Sequence, residues 1–297
     1  MTEAHRHMDQ DARTEAFEAM RPRLFGIAYR MLETRADAED ALQETWFRFQ
    51  RAFGQHHRGV DSVEGFLVTT LTRVCIDELR SARVKREKYV GPWLPEPLLT
   101  TDAGAELEVE RHEALSMAML QVLDRLDPLE RAVFLLREAF SYPYDEIARI
   151  VGKREDHCRQ IAHRAATRVR AERPRVEADA AAHQRLLASF LGAAATGDLV
   201  RLEALLTEDV TLYSDGGGKA AAAINPVVGP DRVARFMAGI SAKAPEETTT
   251  DFVVLNGLPG AVVRVAGEVA VTVSLDVREG KVCRVYMVRN PEKLRGV

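Results

Sequence analysis

Apolar residues recur at the helical period through the first third of the chain. Leu24, Ile27, Ala28 and Met31 stand at i, i+3, i+4 and i+7. Ala38, Ala41, Leu42, Thr45, Trp46 and Phe49 repeat that spacing. So do Val63, Phe66, Leu67, Thr70, Leu71, Val74 and Cys75. Each set makes one apolar stripe on an otherwise polar helix, and three stripes predict a small helical bundle. The loop "FGQHHRGVDS" separates the second helix from the third and holds turn formers, with Asp61 or Ser62 placed to cap the third helix.

The helical period then stops. From Tyr89 the chain reads "YVGPWLPEP", with Pro92, Pro95 and Pro97 around Trp93. Proline fixes the backbone in an extended form and removes donors, so residues 89–105 read as a stiff linker. A second helical set follows. Leu115, Met119, Val122, Leu123 and Leu126 share a face. Asp127, Pro128 and Glu130 then have the spacing of a capping box with proline at the first helical position. After Pro174 the texture changes. Ala-rich helical sequence gives way to "TTDFVVLNG", "AVVRVAG", "VAVTVSLDVREG" and "KVCRVYMV", which are rich in Val and Thr and separated by glycine turns. Helices followed by a meander of strands predict a separate α+β domain with a curved sheet.

Composition narrows the class. A chain of 297 residues suits two domains or three small ones. No apolar run approaches the ~18 residues of a membrane span, and the polar start lacks a secretory signal core. Cys75, Cys158 and Cys283 have no metal or redox spacing and read as reduced core thiols. These features place the protein in the cytoplasm with no membrane partner. Net charge is −4, which disfavours indiscriminate coating of nucleic acid. The basic charge is instead local: eight Arg/Lys against three Asp/Glu from Gly152 to Arg175, and six against three from Arg73 to Lys88. Such stripes are candidate nucleic-acid footprints.

The stretch "YPYDEIARIVGKREDHCRQIAHRAATRVRAERP" adds the geometry. Pro143 opens a short helix with Asp145 and Glu146 in its first turn, and Gly152 provides a turn. A second helix follows, with Cys158, Ile161, Ala162, Ala165 and Val169 on its inner face. This is a helix-turn-helix pattern. Asp156, His157, Arg159, Gln160, His163 and Arg164 are left facing outward, where a recognition helix meets base edges. Arg suits guanine and Gln suits adenine. Lys153, Arg154, Arg168 and Arg170 suit phosphates, which set register.

The first 175 residues resemble the extracytoplasmic-function (ECF) sigma factors of bacterial RNA polymerase. "LFGIAYRMLETRADAEDALQETWFRF" is similar to their second conserved region, and "VEGFLVTTLTRVCIDELRSARVKRE" to the segment that reads and opens the −10 promoter element. "LDRLDPLERAVFLLREAFSYPYDEIARIVG" with the helix after it is similar to the fourth region, which binds the −35 element. The resemblance implies that Asp37, Glu39, Asp40, Gln43 and Glu44 meet the polymerase core, through its beta-prime clamp, while the beta flap receives the second module. It implies that Arg73, Asp77, Arg80, Arg83 and Lys85 serve the −10 element, as basic side chains along single-stranded DNA.

The remaining ~120 residues resemble the SnoaL-like, NTF2-like conical barrel. Three motifs match the SigJ-type subgroup of sigma factors with such a fused tail. They are "WLPEP" (Trp93, Leu94, Pro95, Glu96 and Pro97), "DGGGK" (Asp215, Gly216, Gly217, Gly218 and Lys219) and "NPEKL", which contributes Asn290, Pro291 and Leu294. The resemblance implies a regulatory tail that holds the linker in cis, with no separate anti-sigma protein required. The expected division is 11–88 and 106–175 for the two sigma modules, 89–105 for the linker and 180–297 for the tail. His183, Tyr213, Asp215, Asp251, Asp276 and Tyr286 are polar groups that a cone of this kind could use on a small ligand, but no acid–base pair is legible from their spacing. No catalytic residue, metal or cofactor is expected. The alternative is a SnoaL-like enzyme or sensor carrying a degenerate sigma module.

Overall fold

The computed structural model describes residues 10–54, 62–86, 88–100, 116–172 and 179–297, side chains excepted at 82–86 and 172. The described chain gathers into two compact units. The first is helical. It contains α1 (Gln10–Leu32), α2 (Arg35–Gly54), α3 (Val63–Arg86), α5 (Pro128–Glu138), α6 (Tyr144–Val151) and α7 (Glu155–Glu172). The second contains the linker, the first turn of α4 (Met117–Leu123) and the tail from 179 onward.

The stripes read from sequence form the core of the helical unit. Leu24, Ile27, Ala28 and Met31 of α1 are buried, as are Ala38, Ala41, Leu42, Thr45 and Phe49 of α2. Trp46 is half-buried between Phe17 and Phe49, with ring centroids at 4.9 and 6.1 Å. On α3 the buried face is rotated from the expected one. Val68, Ile76 and Leu79 join Leu67, Leu71 and Cys75 inside, while Phe66, Thr70 and Val74 are half-buried. Ser62 caps α3, its Oγ accepting from Gly65 N at 3.1 Å; Asp61 lies outside the described residues. The Asp127 box forms in full, with Oδ1 accepting from Leu129 N and Glu130 N at 2.9 Å.

One buried ion pair ties α1 to α5. Arg131 of α5 donates to Glu33 Oε1 at 3.0 Å and to Met31 O at 2.5 Å. Both side chains are almost wholly buried. Glu33 follows the last turn of α1 with φ 69°, a left-handed conformation that suits glycine better.

The tail is an α+β layer structure. Helices α8 (Ala180–Thr196), α9 (Leu199–Ala204) and α10 (Pro230–Ser241) accompany strands β1 (Leu206–Asp215), β2 (Val227–Val228), β3 (Thr248–Leu255), β4 (Leu258–Val265), β5 (Glu268–Arg278) and β6 (Lys281–Val288). The six-stranded sheet runs β2-β1-β6-β5-β4-β3. β1 and β6 are parallel, and the other pairs are antiparallel. Register shifts in β1, β4 and β5 bend the strands that carry them, as the predicted cone requires.

Alternation along the strands gives the sheet two covered faces. Leu212, Val273, Leu275, Val285 and Met287 pack with Leu187, Phe190, Val233 and Met237 of the helices. Their neighbours Tyr286 and Val288 turn the other way and pack with Leu94, Met117, Ala118 and Leu294. Leu94 of the linker, the start of α4 and Leu294 therefore pack on the face of the sheet that α8, α9 and α10 leave bare.

Candidate nucleic-acid interface and linker junction

Helix α6 ends at Gly152, whose φ of 66° and ψ of 40° turn the chain into α7. Cys158, Ile161, Ala162, Ala165 and Val169 of α7 are buried. Lys153, Arg154, Asp156, His157, Arg159, Gln160, His163 and Arg164 are exposed together. Two of these arginines are already oriented. Arg154 makes a two-point contact with Asp156 at 3.2 and 2.8 Å. The Asp156 carboxyl also accepts from His157 N, and that hydrogen bond and Arg154 hold its pKa below the usual value. Arg159 donates to Glu155 at 2.5 Å and stacks on the Tyr144 ring, 4.6 Å from its centroid.

On α3, Arg73, Asp77 and Arg80 are exposed, with Arg80 paired to Asp77 at 3.3 Å. The side chains of Arg83 and Lys85 lie outside the described residues. Arg73 borders a groove of about 640 Å3 whose other walls include Arg23, Glu64, Tyr142, Glu146 and Arg149. Tyr142 OH donates to Glu64 across it at 3.0 Å. Nearby, Arg30 is fully buried beneath Phe140, at 5.2 Å from the ring, and burial lowers its pKa to about 10. On α2, Asp40, Gln43 and Glu44 are exposed. Glu44 pairs with Arg48 at 2.7 Å and Glu39 with Arg21 at 2.6 Å. Asp37 is half-buried in the α2 cap, where Thr34 Oγ1 donates to it at 2.5 Å and accepts from its backbone N at 3.1 Å.

The three motifs of the linker and tail meet at Asp215. This residue ends β1 and is fully buried. Its Oδ1 accepts from Tyr89 OH at 2.5 Å. Its Oδ2 accepts from Leu94 N at 2.9 Å and from Lys293 Nζ at 2.8 Å. Lys293 Nζ also donates to Leu94 O at 2.6 Å and lies 3.2 Å from the centroid of the Trp93 ring. Asn290 Nδ2 donates to Tyr89 Oη at 2.9 Å. Burial, and then Asp215, push the Tyr89 phenol pKa well up. Farther along, Leu98 N donates to Asn256 Oδ1 at 3.1 Å, and Asn256 N donates to Leu98 O at 2.8 Å. Thr100 N donates to Val254 O at 2.9 Å, so this end of the linker extends the β3 edge. Leu94, Pro95, Glu96, Pro97 and Leu98 are buried, and Trp93 is half-buried against Tyr89.

Comparison with known proteins bears on both units. The family model for Sigma-70 region 2 matches residues 16–84, and that for Sigma-70, region 4 matches residues 116–169. ECF RNA polymerase sigma factor SigJ of Mycobacterium tuberculosis is 36% identical over 293 residues, spanning 94% of this chain and 92% of that protein. This chain is an ECF sigma factor. A probable ECF sigma factor of the same species, SigI, is 29% identical over 287 residues, spanning 96% and 95% of the two chains. The crystal structure of M. tuberculosis SigJ matches with a TM-score of 0.74 and 32% identity, over 95% of this sigma factor and 98% of that chain. A sigma factor binds RNA polymerase core, recognises promoter DNA and starts transcription.

Two residues of the junction escaped the sequence reading. Lys293 stands inside the quoted "NPEKL", yet a lysine ordinarily reads as solvated. Tyr89 is four residues before Trp93, a spacing with no meaning outside a helix. Lys219 was expected to meet the linker; it pairs instead with exposed Glu292. Of the polar groups considered for a small ligand, Tyr213, Asp276 and Tyr286 stay together. Tyr286 OH donates to Asp276 at 2.7 Å, with Tyr213 stacked on Tyr286, and Asp251 pairs with Arg264 on the surface. His183 is buried, and burial lowers its pKa. Among the described residues no group of three or more His, Cys, Asp or Glu gathers to hold a metal. No helix among them is long and apolar enough to cross a membrane.

Proposed function

We propose that this sigma factor is held in check by its own tail, through the linker clasp at Asp215, and that polymerase core draws it open. The observation that carries the reading is the single buried carboxylate that receives Tyr89, Leu94 and Lys293 at once. A tethered clasp has a high local concentration, so it needs no separate anti-sigma protein. The tail is not a catalyst in this reading, because its buried carboxylates are committed: Asp215 to the linker, Asp276 to Tyr286. The protein works in the cytoplasm, where polymerase and DNA are. The −35 readers are the exposed side chains of α7. Asp40, Gln43 and Glu44 face the core, and Arg73, Asp77 and Arg80 serve the −10 element.

Geometry explains why opening is needed. The −10 and −35 elements lie roughly 85 Å apart along B-form DNA. A compact helical unit of this size is only about 40 Å across. With α3 and α7 in one such unit, the two elements cannot be engaged together. Core polymerase binds the opened form better and so shifts the population toward it.

Run-off transcription with purified core polymerase tests both parts. Asp215→Asn leaves Lys293 buried without its counter-ion, a change of roughly 3 kcal/mol or more. The expected result is more transcript from an unchanged start site. Absence of promoter-specific transcript from the full chain and from a tail-trimmed form would refute the initiation reading. Unchanged output despite a linker newly open to protease would refute regulation by the clasp.

A further inference from the structure

Near its N-terminus the outward face of α7 carries an arginine whose direction is set from outside the helix; Arg168, farther along, is held by Glu130 of α5 at 3.0 Å. Arg159 Nη2 donates to Glu155 Oε1 one turn earlier, at 2.5 Å. Its guanidinium also lies 4.6 Å from the centroid of the Tyr144 ring on α6. Tyr144 is itself held: Arg137 of α5 lies 4.7 Å from the same ring and donates to Tyr142 O at 3.1 Å. Tyr144 is half-buried, while Arg159 is exposed. A free arginine side chain samples many rotamers, and ordering it on DNA costs conformational entropy. An arginine already stacked and paired gives up less.

We propose that Tyr144 is a positioning residue for promoter recognition, fixing the Arg159 guanidinium in the direction from which it reads a base of the −35 element. The reading rests on α7 being the −35 reader, which is proposed above. Arg159 is the residue that touches DNA; Tyr144 acts through it. A bidentate arginine suits the O6 and N7 acceptors of guanine, so the position served is a G·C pair. Glu155 plays a second part in the same device. Its carboxylate holds Arg159 in the free protein. The chemistry is polar throughout and involves no covalent step.

The test is selection of −35 variants from a randomised promoter library by holoenzyme, for the wild type and for Arg159→Ala, Tyr144→Leu and Tyr144→Phe. Arg159→Ala is expected to abolish preference at one base pair, a loss of about tenfold or more in discrimination. Tyr144→Leu keeps an apolar side chain but removes the ring; it is expected to weaken preference at that same pair by about two- to fivefold. Tyr144→Phe keeps the ring face and is expected to restore it. A structural role alone would lower binding to all library members equally and would not single out one pair. If Arg159→Ala relaxes one pair and Tyr144→Leu does not, the positioning role is overturned while Arg159 stands as the reader. If Arg159→Ala changes no pair, the base-reading assignment falls and the positioning role with it.

Discussion

Gly217 leaves no room for a side chain. Its φ is 58°, and a Cβ there would approach Asn290 Nδ2 to 2.3 Å and Tyr89 Oη to 2.9 Å. Gly218 is a natural control: its φ of 70° is equally unfavourable, but its Cβ would meet only Val90, at 3.4 Å. Both alanine variants therefore pay a similar backbone cost of about 1 kcal/mol. Only Gly217→Ala must also displace Tyr89 or Asn290. Limited proteolysis within 88–100 is expected to accelerate strongly in Gly217→Ala and little in Gly218→Ala; equal rates would show that the glycines serve the turn alone. The glycine run and Asp215 were legible because the motif itself is unusual. Lys293 was not, because its environment comes from Leu94, 199 residues earlier in the chain. Local sequence carries the preference of a residue and says nothing of a partner that far away.

At the scale of the element, the joint between α1 and α5 depends on Glu33. A left-handed residue at a helix end is usually glycine. Here a glutamate takes that conformation and its carboxylate meets buried Arg131. Removing one partner of such a pair costs about 3–5 kcal/mol, since the other charge stays buried. Burial already lowers the Arg131 pKa, and Glu33 opposes that shift. Glu33→Gln is expected to raise hydrogen exchange in α1 and α5 and to lower the thermal midpoint of the helical unit. Glu33→Gly relieves the backbone but loses the same carboxylate, so it should not restore stability; full recovery with glycine would show that strain governed the joint. The helices themselves were legible from periodicity, and Asp127 with Glu130 marked the start of α5 correctly. β1 was not: Glu208 and Asp209 break up its β-formers Thr207, Val210, Thr211 and Tyr213, and the strand gains its place by pairing in parallel with β6, the last strand of the chain. The face of α3 came out rotated for a similar reason: Phe66 is drawn toward Phe53, at 5.4 Å, and so stands at the rim of the core.

For the whole molecule, what matters is that the linker forms a layer of the tail. It lies on the sheet at Leu94, is gripped at Asp215 and Lys293, and extends the β3 edge at Thr100. Thirty residues, 87–116, separate α3 from α4. Free, they would reach roughly 100 Å at about 3.4 Å per residue, ample for any separation of two promoter elements. The stretch 88–100 is fixed to the tail instead, which withdraws on the order of 40 Å of that reach. While the clasp is shut, the tail withholds slack from the two sigma modules, and core polymerase has to return it before both promoter elements are reached. Promoters whose spacer is shortened by a few base pairs ask for less reach. They should gain less transcript from Asp215→Asn than promoters of ordinary spacing do in run-off assays; an equal gain would show that the withheld length does not limit engagement.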